Sequence, residues 1–158
     1  MRMFRIFVVL MAVLSAGPAL AQQWTTYHNA RYGATADIPP DFAPSGPEAA
    51  NSDGLIFRSS DGLLTIYGAN ISGSFEAFVN NAIEHDKSYD GWPVQGQTIT
   101  PDWAEYWGGG GGRSLKVRIE AVCNGHVAIV AKFEMRGRIP SSADRVFNSL
   151  HEENGRAC

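Results

Sequence analysis

The chain has little charge, little cysteine and few histidines. Charged residues make up 18% of the sequence, and 13 Lys and Arg stand against 16 Asp and Glu, a formal net charge of −3. Such a balance leaves no electrostatic footprint for nucleic acid and no polybasic patch for anionic lipid, so neither is expected as a partner. The four histidines, His28, His85, His126 and His151, form no pair at helical or strand spacing. Zinc needs three or four convergent ligands, so they read as surface residues. Neither a Gly-x-Ser-x-Gly elbow nor a Ser-x-x-Lys pair occurs. Asp53-Gly54 and Asp61-Gly62, with Asn51, Ser52, Ser59 and Ser60 around them, lack the bidentate Glu of a calcium loop and read as turns. The glycine run before Arg113 opens no helix, as a phosphate-binding loop would. No repeat of solenoid period is present. With no catalytic constellation, metal set or cofactor motif, the absences point away from an enzyme.

The apolar stretch near the start is an address. Arg2 and Arg5 precede an apolar run from Ile6 to Leu14, Ser15-Ala16-Gly17-Pro18 breaks it, and Ala19-Leu20-Ala21 offers small residues for cleavage. The run is too short to span a bilayer, and no cysteine follows the cleavage site. Residues 1–21 are expected to be a signal peptide cleaved after Ala21, leaving 22–158 as one domain without a stable membrane anchor, periplasmic or secreted. Removal of Arg2 and Arg5 makes that domain two charges more acidic.

Cys123 and Cys158 are the two cysteines of the chain. In an oxidising compartment their default reading is a disulfide, and the alternatives are an intermolecular bridge or two free thiols. The intrachain bond would close a ring of about 36 residues and contribute roughly 3–4 kcal/mol in the chain-entropy treatment.

Along the chain, Trp24–Asn29 alternates as a first strand, residues 30–33 turn it, and Ala34–Ile38 returns before Pro39-Pro40. Residues 42–52 have no periodicity and read as a loop. Residues 53–70 hold two β-rich runs joined by Ser59-Ser60-Asp61-Gly62, a hairpin signal. Ser74 is a helix N-cap, with Glu76 in the first turn and Phe75, Phe78, Val79, Ala82 and Ile83 as the apolar stripe. Glu84, His85, Asp86 and Lys87 are expected to end this helix in water. Val94–Thr100 and Trp103–Trp107 read as strands, and residues 108–112 as a mobile glycine loop. A last helix begins at Pro140-Ser141-Ser142, carries Ala143, Val146, Phe147 and Leu150, and stops at Asn154-Gly155.

The longest hairpin, 113–122 with 126–135, allows two registers. A two-residue Asn124-Gly125 loop pairs Ala121 with Ala128 and sets Lys132 and Glu134 on the face of Val117 and Leu115. A three-residue Cys123-Asn124-Gly125 loop pairs Ala121 with Val127 and Val117 with Ala131. The second register collects Lys116, Arg118, Glu120, Lys132 and Glu134 on one polar face, and on that ground it is the expected one.

The order of elements, together with Tyr27-x-Asn29-x-x-Tyr32-Gly33-x-x-x-Asp37-Ile38-Pro39-x-x-Phe42, resembles the PsbP/Mog1-like sandwich of small exported bacterial domains. The resemblance implies an α+β fold, a mostly antiparallel sheet with two packed helices, and a binding or assembly module that docks onto a larger protein. It implies no catalytic residues. Beside the glycine loop, Tyr89, Trp92, Trp103, Tyr106 and Trp107 form the candidate binding surface. Aromatics of that kind anchor protein partners, and they also stack on sugars, so an envelope glycan or small ligand is the alternative. The bland reading is that most of the five fill space between sheet and helix.

Overall fold

The computed structural model describes residues 23–153, Gly155 and Cys158. The expected signal peptide lies outside the described residues, and so does Asn154. Ten strands and two helices follow in the order β1 (Thr25–His28), β2 (Ala34–Ile38), β3 (Ala43–Pro44), β4 (Gly54–Arg58), β5 (Gly62–Asn70), α1 (Phe75–Ser88), β6 (Val94–Ile99), β7 (Trp103–Gly110), β8 (Arg113–Val122), β9 (Val127–Arg136), α2 (Ala143–Ser149) and β10 (His151–Glu152). The fold is α+β, and every strand pairing is antiparallel. Seven strands form the main sheet in the order β3-β4-β5-β9-β8-β7-β6, and β1-β2-β10 form a second sheet of three.

Each face of the main sheet is covered over a different half. On one side, β2 and α2 pack over β4, β5 and β9. Ala34, Ala36, Ile38, Val146 and Phe147 meet Phe57, Leu64, Ile66, Ile129 and Phe133 in one core. On the other side, α1 and Trp92 cover the opposite end, where Val79 and Ile83 meet Ala104, Tyr106, Leu115, Val117, Ile119 and Val130. Strand β9 lies under both layers, which explains why the side chains of Val127 to Ala131 are buried without alternation.

The opening motif is legible as packing. Tyr27 meets Phe57 edge-on at 5.4 Å between ring centroids, and Phe42 meets Phe133 at 5.8 Å. Asn29 is fully buried; its Oδ1 accepts from the Tyr32 amide at 2.7 Å and its Nδ2 donates to the Ser52 carbonyl at 2.8 Å. One side chain thereby satisfies both a turn and the long segment that crosses it. That segment is not wholly loop, because Ala43 and Pro44 pair with Arg58 and Phe57.

Helix α1 starts where expected, with Ser74 Oγ accepting from the Ala77 amide at 3.1 Å. Helix α2 ends earlier than expected: Leu150 is already extended, and His151 and Glu152 pair with Thr35 and Ala34 of β2. The glycine run is mostly strand. Gly108, Gly109 and Gly110 pair with Leu115, Ser114 and Arg113, and Gly111 and Gly112 alone make the turn. A side chain at Gly108 would strike the Pro93 carbonyl, at 2.1 Å from an ideal Cβ, so close backbone approach accounts for that glycine better than mobility does.

The register of β8 and β9 corrects the sequence reading. Val122 pairs with Val127, Ala121 with Ala128, Val117 with Lys132 and Leu115 with Glu134. This is the register of the two-residue alternative, but the connection runs over Cys123–His126, with positive φ at Cys123 (56°), Asn124 (54°) and Gly125 (82°) and the Gly125 and His126 amides donating to the Val122 and Cys123 carbonyls at 3.1 and 3.2 Å. Lys132 and Glu134 therefore point toward α1, away from Lys116, Arg118 and Glu120. One apolar and one polar face do not result because β9 is covered on both faces, and the inward charges have partners.

Cys123 sits at this hairpin tip and is bonded to Cys158, with their Cα atoms 5.0 Å apart.

Candidate binding surface

The five expected aromatics do not share one surface. Trp92 and Tyr106 are buried, 3% and 2% exposed, because they point toward α1. Tyr89 lies at the end of α1, 82% exposed, its ring stacked on His85 at 4.9 Å. Trp103 and Trp107 project from the opposite face of β7, where neither α2 nor the small sheet reaches. The space-filling role thus holds for Trp92 and Tyr106, and the open pair is Trp103 and Trp107.

Strand pairing builds the open face. Trp103 stands opposite Glu120, Glu105 opposite Arg118 and Trp107 opposite Lys116, while Thr98 and Gly96 of β6 oppose Glu105 and Trp107. The guanidinium of Arg118 lies 4.2 Å over the Trp103 ring. It donates to Glu105 Oε1 at 3.0 Å and to Glu120 Oε1 at 2.6 Å. Three of its neighbours thereby fix its plane, and the ring beneath it is fixed in turn. The Trp107 ring lies across Gly96, where an added Cβ would fall 2.4 Å from the ring. Trp107 is 41% exposed, yet it is held flat in one orientation. Lys116 marks the border of the covered half, reaching Asp144 of α2 at 3.2 Å and the Phe147 ring at 5.1 Å. Lys116, Arg118 and Glu120 were visible in the sequence as a polar face of the hairpin; that they frame two tryptophans followed only from the pairing of β7 with β8.

A second feature lies under α1, and the sequence reading missed it. Asp86 is not in water. It follows Val79 and Ile83 on the inward stripe of the helix and is 4% exposed. Lys132 Nζ donates to Asp86 Oδ1 at 2.6 Å and to Asp90 Oδ2 at 3.3 Å, and it lies 3.5 Å from Glu134 Oε1. Tyr106 donates to Asp86 Oδ2 at 2.7 Å, and Trp92 Nε1 donates to Glu134 Oε1 at 3.0 Å. Burial works to lower the Lys132 pKa, but the hydrogen bond and charge of Asp86, with Glu134 and Asp90, outweigh it and raise the value. Burial works to raise the Asp90 pKa, and the hydrogen bond and charge of Lys132 overcome it, leaving the carboxyl below its ordinary range. Burial, added to the charge and hydrogen bond of Asp86, pushes the Tyr106 phenol well up.

The ligand atoms of His85, Asp86 and Asp90 lie within 4.8 Å of one another, close enough to consider a metal. The Lys132 ammonium already occupies that position between the carboxylates, so the cation held there is the chain's own. A cavity of about 340 Å³ opens beside the cluster, lined also by Thr65 and Tyr67.

No protein-family model matches the chain, and no curated protein matches its sequence. Its fold is similar to that of the Saccharomyces cerevisiae Ran-binding protein Mog1p, at 9% identity and a TM-score of 0.54 over 87% of this chain and 88% of that one. The structure of a mutant of the protein Mog1 aligns at 8% identity and a TM-score of 0.53, over 85% of this chain and 87% of that one. At such identity the likeness concerns architecture. The chain has a Mog1-like fold.

Proposed function

We propose that this chain is a non-enzymatic binding module of an oxidising compartment, periplasmic or secreted, that docks a protein partner through the open face carrying Trp103 and Trp107. The observation that carries the reading is the half of the sheet left uncovered among the described residues, where Arg118 lies over the Trp103 ring and the Trp107 ring lies across Gly96. Rings already fixed lose little entropy on docking, and a Trp–Arg centre within a polar rim of Glu105, Glu120 and Thr98 suits a protein interface. The Cys123–Cys158 bond supports the compartment, and the Mog1-like fold supports a docking role, since Mog1p itself is a Ran-binding protein.

The test is capture of partners from the envelope by the tagged, processed protein after mild cross-linking, with wild type and W103A/W107A compared. A stoichiometric protein lost with the double substitution supports docking at this face. A partner retained undiminished by a folded double variant places docking elsewhere. If instead cell-wall fragments raise the melting temperature and no protein is captured, the glycan reading takes over.

A further inference from the structure

The face of the main sheet opposite Trp103 and Trp107 holds a groove whose two ends differ in charge. Its floor is β5 and β9, with Leu63, Thr65 and Tyr67 from one strand and Lys132, Glu134 and Arg136 from the other. One wall is the end of α1 and Trp92. Recesses of about 340 Å³ and 190 Å³ lie along it and share Glu134.

At the far end, Arg113 and Arg136 stand directly opposite each other on β8 and β9. Like charges so placed oppose folding, and the cost is not relieved by acids. Among the described residues, neither arginine forms an ion pair. Arg113 instead lies 4.0 Å over the Trp92 ring, and Arg136 donates to the Ser60 carbonyl at 2.6 Å. Both guanidinium groups are held in place with donors to spare. The one carboxylate lining the recess, Glu134, is engaged by Trp92 Nε1 at 3.0 Å and by Lys132 at 3.5 Å. At the near end Asp86, Asp90 and Glu134 outnumber Lys132, and the Asp90 side chain is 38% exposed.

We infer that this groove binds an extended segment of a protein partner, with a carboxylate of the segment on Arg113 and Arg136 and a basic side chain at Asp90. The charge pattern selects the ligand class. A polyanion would meet Glu134, Asp86 and Asp90 after filling the arginine end, and a polycation would meet the arginines. Only a chain with both signs satisfies the groove. The spacing agrees: Arg136 and Lys132 are separated by four strand positions, about 13 Å. In an extended peptide an acid and a base four positions apart project from the same side at the same distance. Leu63, opposite Glu134 and so between the two levels, offers apolar contact to the intervening residue of that side. This inference does not rest on the Trp103/Trp107 surface, which lies on the other face.

The experiment uses the processed, disulfide-bonded protein labelled with ¹⁵N, whose tryptophan indole signals report separately on the two faces. The probe is a short β-prone peptide, acetylated and amidated, with one Glu and one Lys four positions apart. Controls are the same peptide with two Glu, the same with two Lys, and inorganic phosphate. The expected result is a saturable shift of the Trp92 indole with the mixed peptide, Trp103 and Trp107 unmoved, and binding at least ten-fold weaker for either control peptide. R113Q should weaken the mixed peptide about ten-fold while the spectrum keeps its dispersion, and D90N should do the same from the other end. The two variants probe opposite ends, so loss of folding in one leaves the other decisive. An unmoved Trp92, equal response to phosphate or to the di-Glu peptide, or indifference to both substitutions would overturn the inference.

Discussion

Lys132 Nζ and Asp86 Oδ1 lie 2.6 Å apart between the central strand and α1, with side chains 13% and 5% exposed. The pair joins the helix to the sheet at the point where the apolar stripe of α1 runs out. Both members occupy positions in the fold that run against the sequence pattern, as Glu134 beside them does.

Breaking this pair from one side should be costly. In D86A the ammonium of Lys132 keeps Asp90 and Glu134 but loses its closest partner, and Tyr106 loses its acceptor. Removing one partner of a buried pair typically costs about 3–5 kcal/mol; with Asp90 and Glu134 still beside the ammonium, chemical denaturation of D86A should show a loss at the lower end, about 3 kcal/mol. The double variant D86L/K132M removes both charges together and should recover much of the stability. Additive losses would mean that the two side chains are not coupled.

The phenols give a pH prediction. Burial, reinforced by the charges of Asp86 and Glu134 and opposed by Lys132, raises Tyr67 to about 12. Tyr27, by burial and its hydrogen bond to Glu48, and Tyr106, by burial and Asp86, are also raised. For each, the unfolded phenol ionises near pH 10, so the folded state holds its proton longer. Stability from this source is intact below pH 10 and is lost as pH rises from 10 through 12 and beyond. Absorbance titration at the phenolate band should show Tyr67 ionising near pH 12 in the folded protein, and Y67F should remove that step. A step near pH 10 that disappears in Y67F would contradict the burial account.

How far the sequence carries the fold depends on whether a signal is local. The Ser74 cap, the stripe Val79–Ile83 and the Asp61-Gly62 turn are read from neighbouring residues, and they stand where expected. The β8–β9 register departs from the face pattern although Asn124-Gly125 is itself a strong short-hairpin signal. Inward Lys132 and Glu134 looked prohibitive because their partners, Asp86, Asp90 and Trp92, lie some 40 positions away. Asp86 reads as solvent-facing for the same reason, despite its place one turn beyond Ile83 on the inward face. The candidate surface was half legible. Strand alternation already sets Trp103 and Trp107 on the face opposite Tyr106, but which of the two faces is covered follows only from the packing of α1 against Ala104 and Tyr106. Trp92 precedes a proline in a turn, and no periodicity there tells which way it faces.

The Cys123–Cys158 bond ties the chain end to the hairpin tip, downstream of the short pairing of β10 with β2. Thiol titration of the unfolded, unreduced protein should find no free cysteine. The variant C123S/C158S should be less stable by roughly 3–4 kcal/mol, with the amides of β10 exchanging faster than those of β9. Unchanged stability and unchanged exchange at β10 would mean that the tail is held by other contacts.

Trp103 and Trp107 are partly exposed, so their replacement should touch binding more than folding. W103A/W107A is expected to lose about 1–2 kcal/mol, mainly from the stacked Arg118 and the ring over Gly96, and to keep its circular dichroism. A loss above about 4 kcal/mol would show that the rings are structural.

The most direct measurement places a benzophenone-bearing residue on the open face at Thr98, and in a second protein at Ile56, which is exposed on the opposite face. Both are irradiated in the native envelope. A docking face on the Trp103/Trp107 side predicts one defined protein adduct from position 98, lost in the W103A/W107A background and missing from position 56. An adduct from position 56 alone, or one from position 98 that survives the tryptophan substitutions, would contradict the assignment of this face as the docking surface.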